Sequence, residues 1–183
     1  MAGRADQTLL NELAAGEEEA FGKLYDLYGQ RLFRAAFGIV GRREDAEDAV
    51  QDVFLGLARA GRTLAYVENL NAYLFASLHR AAVRRAAAQR QESRVDDLAL
   101  ANAPARQEGE AELGARLGRA LRSLPLEQRE VVALKIDGGL TFEEIAEALS
   151  VKANTAASRY RYALEKLRAA LGQVGGGAME SAK

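Results

Sequence analysis

Apolar residues return every three or four positions along almost the whole of this chain, and no segment shows sustained alternation. That spacing matches the 3.6-residue repeat of an α-helix, which can then bury one continuous stripe. Asn-Gly or Asp-Gly pairs flanked by β-branched runs, the usual hairpin signal, are missing. The expectation is an all-α protein. Leu9, Leu10 and Leu13 predict a short first helix ending near Gly16, and Phe21, Leu24, Tyr25, Tyr28, Leu32 and Phe33 predict a second over 17–39. Gly41 interrupts the pattern, a third helix is expected from about Arg43 to Ala60, and a looser stretch follows to Glu68. A fourth helix starts near Asn69 or Asn71 and runs to about Gln91, so the four predict one bundle over residues 5–95.

Between 96 and 112 the character changes to Asn102, Ala103, Pro104, Gln107, Gly109 and clustered acid, which reads as an acidic flexible linker. A second helical unit is expected over 113–172. Leu113, Leu117, Leu121 and Leu124 form a stripe closed by Pro125, residues 126–136 form the next helix, and Asp137-Gly138-Gly139 stops it. Two helices, Thr141–Leu149 and Asn154–Leu171, complete the unit, and the glycine-rich 173–183 is expected to be a disordered tail.

Composition removes several function classes. The chain has no Cys and one His among 183 residues, which excludes disulfides, thiolate metal sites, a Cys nucleophile and a His-rich metal centre. No cofactor is expected. No Gly-rich phosphate loop ending in Gly-Lys-Ser/Thr, no His-Glu-x-x-His and no Gly-x-Ser-x-Gly is present, so an enzyme is not expected. The first residues lack the apolar stretch of a secretory signal, and no apolar run approaches the ~18 residues of a membrane span, so the expected location is cytoplasmic, without membrane insertion.

The near-zero net charge of −1 hides segregation: residues 79–95 hold 5 basic and 1 acidic residue, and residues 150–172 hold the same numbers. Two separate basic helices are compatible with nucleic acid despite the balanced total. The more specific is the last. Thr141 and Glu144 have capping-box spacing, Phe142, Ile145, Ala146 and Leu149 share one stripe, and Ser150-Val151-Lys152 makes a short turn. On the following helix Ala156, Tyr160, Ala163, Leu164, Leu167 and Leu171 share a face, opposite Thr155, Ser158, Arg159, Tyr162 and Lys166, with Arg161 and Arg168 flanking. Short polar groups near a helix start reach base edges in the major groove, and cations farther along hold phosphates. The candidate duplex-reading residues are Lys152, Asn154, Thr155, Ser158, Arg159, Arg161, Tyr162 and Lys166. The competing reading is an amphipathic hairpin with a solvated basic face.

The other basic helix carries His79, Arg80, Arg84, Arg85, Arg90 and Arg94 just after Tyr73 and Phe75. Cations beside aromatics suit unpaired or distorted DNA, where bases stack; as core residues the two rings would have no such role. The third helix is acidic, with Glu44, Asp48, Gln51, Asp52 and Leu55 on one face and Ala46, Val50, Val53 and Leu57 on the other. A leucine amid charge suits an interface with a basic partner; the plainer reading is a solvated face.

Together these residues resemble a known family. Glu47-Asp48-Ala49-Val50-Gln51-Asp52-Val53-Phe54, then Ala72-Tyr73-Leu74-Phe75 and the arginine cluster, resemble the second conserved region of bacterial sigma factors. Leu124-Pro125-Leu126-Glu127-Gln128-Arg129-Glu130-Val131, Thr141-Phe142-Glu143-Glu144-Ile145-Ala146 and Ser158-Arg159 resemble the fourth. With only these two regions and a linker, the chain is similar to the extracytoplasmic-function type. The resemblance implies that Asp48, Gln51, Asp52, Phe54 and Leu55 dock on the clamp helices of the largest subunit of core RNA polymerase. It implies that Tyr73, His79, Arg80, Arg84 and Arg85, with the loop before their helix, recognise and open the −10 element of promoter DNA, and that the final helix pair reads the −35 element. It further implies an anti-sigma factor as a partner in many members. The family usually carries Trp where Tyr73 stands and Asn where Arg80 stands. A helix-turn-helix regulator acting without polymerase is the alternative; it would not need the acidic helix or the aromatic–arginine segment.

Overall fold

The structure, a computed structural model, describes residues 4–92 and 108–172, and the helices fall close to the expected bounds. The N-terminal half contains α1 (Arg4–Ala15), α2 (Glu18–Val40), α3 (Arg43–Ala60), a 3₁₀ turn (Gly61–Tyr66) and α4 (Leu70–Glu92). Gly41 ends α2 in the left-handed conformation at φ 78°, with its N–H donating to the Phe37 carbonyl; a side chain at that φ would be strained. Asn69 caps α4, its Oδ1 accepting from the Ala72 N–H at 3.0 Å. The expected stripes are buried: Leu10, Leu13, Leu24, Leu32, Ile39, Leu57 and Leu74 are essentially inaccessible.

In the C-terminal half come α5 (Glu108–Ser123), α6 (Leu126–Ile136), α7 (Phe142–Leu149) and α8 (Ala153–Gly172). One boundary is corrected: α5 begins inside the stretch expected as linker to residue 112. The acid that suggested a linker also suits a helix N-terminus, where negative charge meets the positive end of the macrodipole. The rest of the linker, Arg94, and the tail expected at 173–183 lie outside the described residues. Leu117 is also corrected, standing 41% exposed while Ala120 and Leu124 make the buried contacts to Val132, Ala163 and Leu167.

The halves are not independent bundles. α6 packs on α2 as well as on α8, and α7 packs on α4 as well as on α8. Val131, Ala133, Leu134, Leu140 and Ile145 belong to the same apolar cluster as the N-terminal core. Residues 130–134 are buried at five successive positions, as a helix enclosed on all sides must be. Gly38 of α2 lies at this contact: a Cβ there would stand 3.8 Å from that of Ala133, in ordinary van der Waals contact.

Candidate nucleic-acid and protein interfaces

The α7–α8 pair forms as its sequence dictates. The Thr141 hydroxyl accepts from the Glu144 N–H at 3.2 Å, and the Glu144 carboxylate accepts from the Thr141 N–H at 2.7 Å, closing the capping box. Ser150 turns the chain with φ 54°, a left-handed value uncommon outside glycine. The Phe142 ring meets the edge of Tyr160 with centroids 5.8 Å apart, fixing α7 on α8. Along the outer side of α8 and the turn before it, Lys152, Asn154, Thr155, Arg161, Tyr162 and Lys166 are exposed, and Ser158 and Arg159 are half-buried. The Arg161 guanidinium lies 5.2 Å from the Tyr162 ring centroid. Six of the eight candidate duplex-reading residues are therefore accessible, and Ser158 and Arg159 partly so.

The second candidate set divides. Phe75 is fully buried, and Tyr73 is half-buried against the core while lining a cleft with Arg80. Arg84 is exposed, and exposed Arg80 donates to the Ser77 hydroxyl at 2.9 Å. His79 turns inward, its Nε2 lying 3.5 Å from the buried carboxylate of Glu130 on α6. Arg85 reaches across to α3 and holds Asp48 at 2.8 Å and Asp52 at 3.0 Å. A candidate DNA contact is thus tied to two candidate polymerase contacts, a pairing invisible in sequence at separations of 37 and 33 residues.

On α3, Asp48, Gln51 and Leu55 are exposed, Leu55 to 44%. Phe54 is half-buried and tilts against Tyr25 at a centroid separation of 5.8 Å. Phe54, Gln51, Tyr25 and Phe33 line a groove of about 660 Å³ between α2 and α3. Tyr25, one of the residues whose spacing predicted α2, is 62% exposed there. Sequence reasoning also missed Tyr66, 87% exposed in the 3₁₀ turn ahead of α4; with Leu64, Ala65 and Val67 around it, nothing in the sequence marked it as exposed. Among the described residues no metal-binding cluster occurs and no helix is long and apolar enough to cross a membrane.

Asp137, in the turn between α6 and α7, has its carboxyl raised above the ordinary range by burial, partly countered by its 2.9 Å bond to Arg34 and by the charges of Arg34 and Arg31. A carboxyl whose folded value lies above its unfolded one favours the folded state at low pH, and that contribution is lost as pH rises through the carboxylate range. Asp137→Asn should therefore gain stability relative to the wild type between about pH 4 and pH 7, as denaturant titrations of both proteins at the two pH values would show. A constant difference between them would contradict this assignment.

Among the described residues every element is helical, and the last pair is a capped helix-turn-helix with an exposed polar and basic face, an arrangement that DNA-binding proteins use. Family models agree and narrow it: residues 24–92 match sigma-70 region 2, and residues 114–167 match sigma-70 region 4. The ECF RNA polymerase sigma factor SigM of Mycobacterium tuberculosis is 30% identical across 95% of this chain and 88% of that protein. SigE of Mycolicibacterium smegmatis is 31% identical, the match covering 85% of this chain and 64% of SigE. Among solved structures, CnrH in complex with the cytosolic domain of CnrY superposes with a TM-score of 0.64 at 25% identity, covering 93% of this chain and 99% of that one. The chain belongs to the ECF family of RNA polymerase sigma factors.

Proposed function

We propose that this chain joins core RNA polymerase and directs it to promoters, using α3 for the polymerase, α4 with its preceding loop for the −10 element and α7–α8 for the −35 element. The observation that carries the reading is the exposed row on α8 and its leading turn, Lys152 to Lys166, set on a helix start fixed by a capping box. Thr155 and Ser158 sit where short side chains reach base edges, and Arg159, Arg161 and Lys166 sit where cations meet phosphates. The acidic face of α3, with Leu55 and the Phe54 groove, supports docking on a basic surface, for which the clamp helices of the largest polymerase subunit are the partner.

Two weak DNA contacts carried on one polymerase act together through effective concentration. Opening of the −10 duplex draws on binding energy for the unpaired strand, with no nucleotide consumed by this chain. CnrH is seen with CnrY, and the RpoE sigma factor of Bartonella quintana with the anti-sigma factor NepR; an anti-sigma factor is accordingly a proposed partner here. The deciding experiment mixes the chain with core polymerase and scores transcripts from promoter templates; transcription no more promoter-specific than core alone would refute the reading. Arg159→Ala should weaken duplex binding about tenfold and lower the slope of log affinity against log salt by about one. A titration at several salt concentrations reads both, and an unchanged slope would remove Arg159 from the phosphate contacts.

A further inference from the structure

The turn between α6 and α7 is fixed from two sides. Arg31 of α2, stacked between the Tyr28 and Phe75 rings, donates from Nε to the Asp137 carbonyl at 3.0 Å and from Nη2 to the Gly138 carbonyl at 2.9 Å. From within the C-terminal half, Lys135 of α6 donates to the Leu140 carbonyl at 2.8 Å and stands 4.9 Å from the Phe142 ring centroid. The start of α7, with the Phe142 ring, is therefore tied to α6 by a hydrogen bond and a cation–π contact that need nothing from the N-terminal half.

α8 has no comparable anchor of its own. Between Ala153 and Ala163 its buried side chains are Ala156 and Ala163, each presenting a single methyl, and Leu167 follows a turn later. Methyl groups interdigitate little, so they let α8 sit close but leave its roll about its own axis weakly determined. Tyr160, between the two alanines, supplies the missing shape. Half-buried, it packs against the cluster that holds Leu134, Ile145 and Ala156 and against the cluster that holds Leu124, Ala163 and Leu167; among the described residues no other partly buried side chain joins both. Its ring meets Phe142 at 60°. Its hydroxyl bonds to none of the described residues, so the ring and not the oxygen does the fixing.

The sequence neighbours of Tyr160 are the candidate readers Ser158, Arg159, Arg161 and Tyr162. Side chains of a helix reach about 5–6 Å from its axis, so a roll of about 20° carries their tips about 2 Å sideways. A hydrogen bond to a base edge, confined to about 2.7–3.2 Å, fails under such a shift. Long Arg and Lys side chains follow a phosphate by changing rotamer and keep their contact. We infer that Tyr160 is a positioning residue for promoter reading: wedged against Phe142, it fixes the roll of α8 and so aims Thr155, Ser158 and Arg159 at base edges without touching DNA itself. The inference rests on the assignment of α8 to the −35 element.

The test assembles the full chain with core polymerase and selects from double-stranded DNA of random sequence, the recovered fragments being sequenced. Tyr160→Leu and Phe142→Leu remove the ring contact from either side, and Tyr160→Phe keeps it. The unaltered chain and Tyr160→Phe should enrich the same upstream and downstream motifs. Each leucine variant should keep the downstream motif and lose the upstream one. Its affinity for a duplex bearing the upstream motif should fall about tenfold, the worth of one well-made base contact, while affinity for a scrambled duplex and its salt slope stay unchanged. A ring that only stabilises the fold would lower recovery of both motifs together and leave the upstream base preferences as sharp as before; that result overturns the inference. Loss of the upstream motif in Tyr160→Phe overturns it too, because the hydroxyl would then be a direct contact. Failure of the unaltered chain to enrich any upstream motif would instead sink the −35 assignment itself.

Discussion

Truncating Phe75 to alanine should lower the unfolding free energy by about 3–5 kcal/mol, the range for removing a buried aromatic ring. The ring is fully inaccessible. It also forms one side of the stack around Arg31 and approaches Gly138 within 3.2 Å of where that residue's Cβ would be. One substitution therefore opens a cavity in the N-terminal core and loosens the guanidinium that holds the 137–138 turn. Phe75→Leu keeps most of the volume and should lose about 1 kcal/mol. Urea titrations of the three proteins decide the matter. Near-equal midpoints for Phe75→Ala and the wild type would mean that the ring contributes nothing to the packing.

The largest functional effect is expected from Asp48→Lys combined with Asp52→Lys. Reversing both charges should weaken binding to core polymerase roughly 10–100-fold, on the order of 1.4–3 kcal/mol. The structure adds a consequence that the acidic stripe alone did not reveal. Both carboxylates hold Arg85, which is buried enough to be 27% exposed at the side chain, so the double lysine variant places three cations together. Some loss of stability at the α3–α4 contact must then accompany the loss of affinity. Asp48→Asn with Asp52→Asn separates the two effects, because it removes the attraction for a basic partner without building a cationic cluster. Affinity for labelled core polymerase, measured beside the thermal midpoint of each variant, gives the comparison. A well-folded charge-reversed chain with undiminished polymerase affinity would take α3 out of the docking surface.

Helix starts and stops were legible because they depend on neighbours in sequence. The Thr141–Glu144 box, the Asn69 cap and the left-handed glycine at 41 each act within a few residues, and each stands where spacing put it. The buried and exposed faces of α8 were equally legible, since a helix displays its period directly. Tyr25 and Leu117 show where that reasoning stops. Periodicity says which residues share a face, whereas exposure depends on whether another helix covers it.

The −10 candidates were only partly legible. Cations and aromatics in one segment suggested a strand-binding surface, yet His79 went to Glu130 and Arg85 to α3, while Phe75 took the core position that was its competing reading. Their positions on α4 were correct; their partners came from helices about 30 to 50 residues away. Tyr66 became noticeable only once the fold left it 87% exposed.

From the amino-acid order alone came the all-helical class, most of the helix bounds, the family and the exposed polar face of α8, because caps, breakers and the 3.6-residue repeat are local properties. Only the tertiary structure joined the halves. Arg31 binds carbonyls of residues 106 and 107 positions away, and a backbone carbonyl has no sequence signature, since every residue supplies one. What faces what across α2, α4, α6 and α7 was decided by close packing of whole helices.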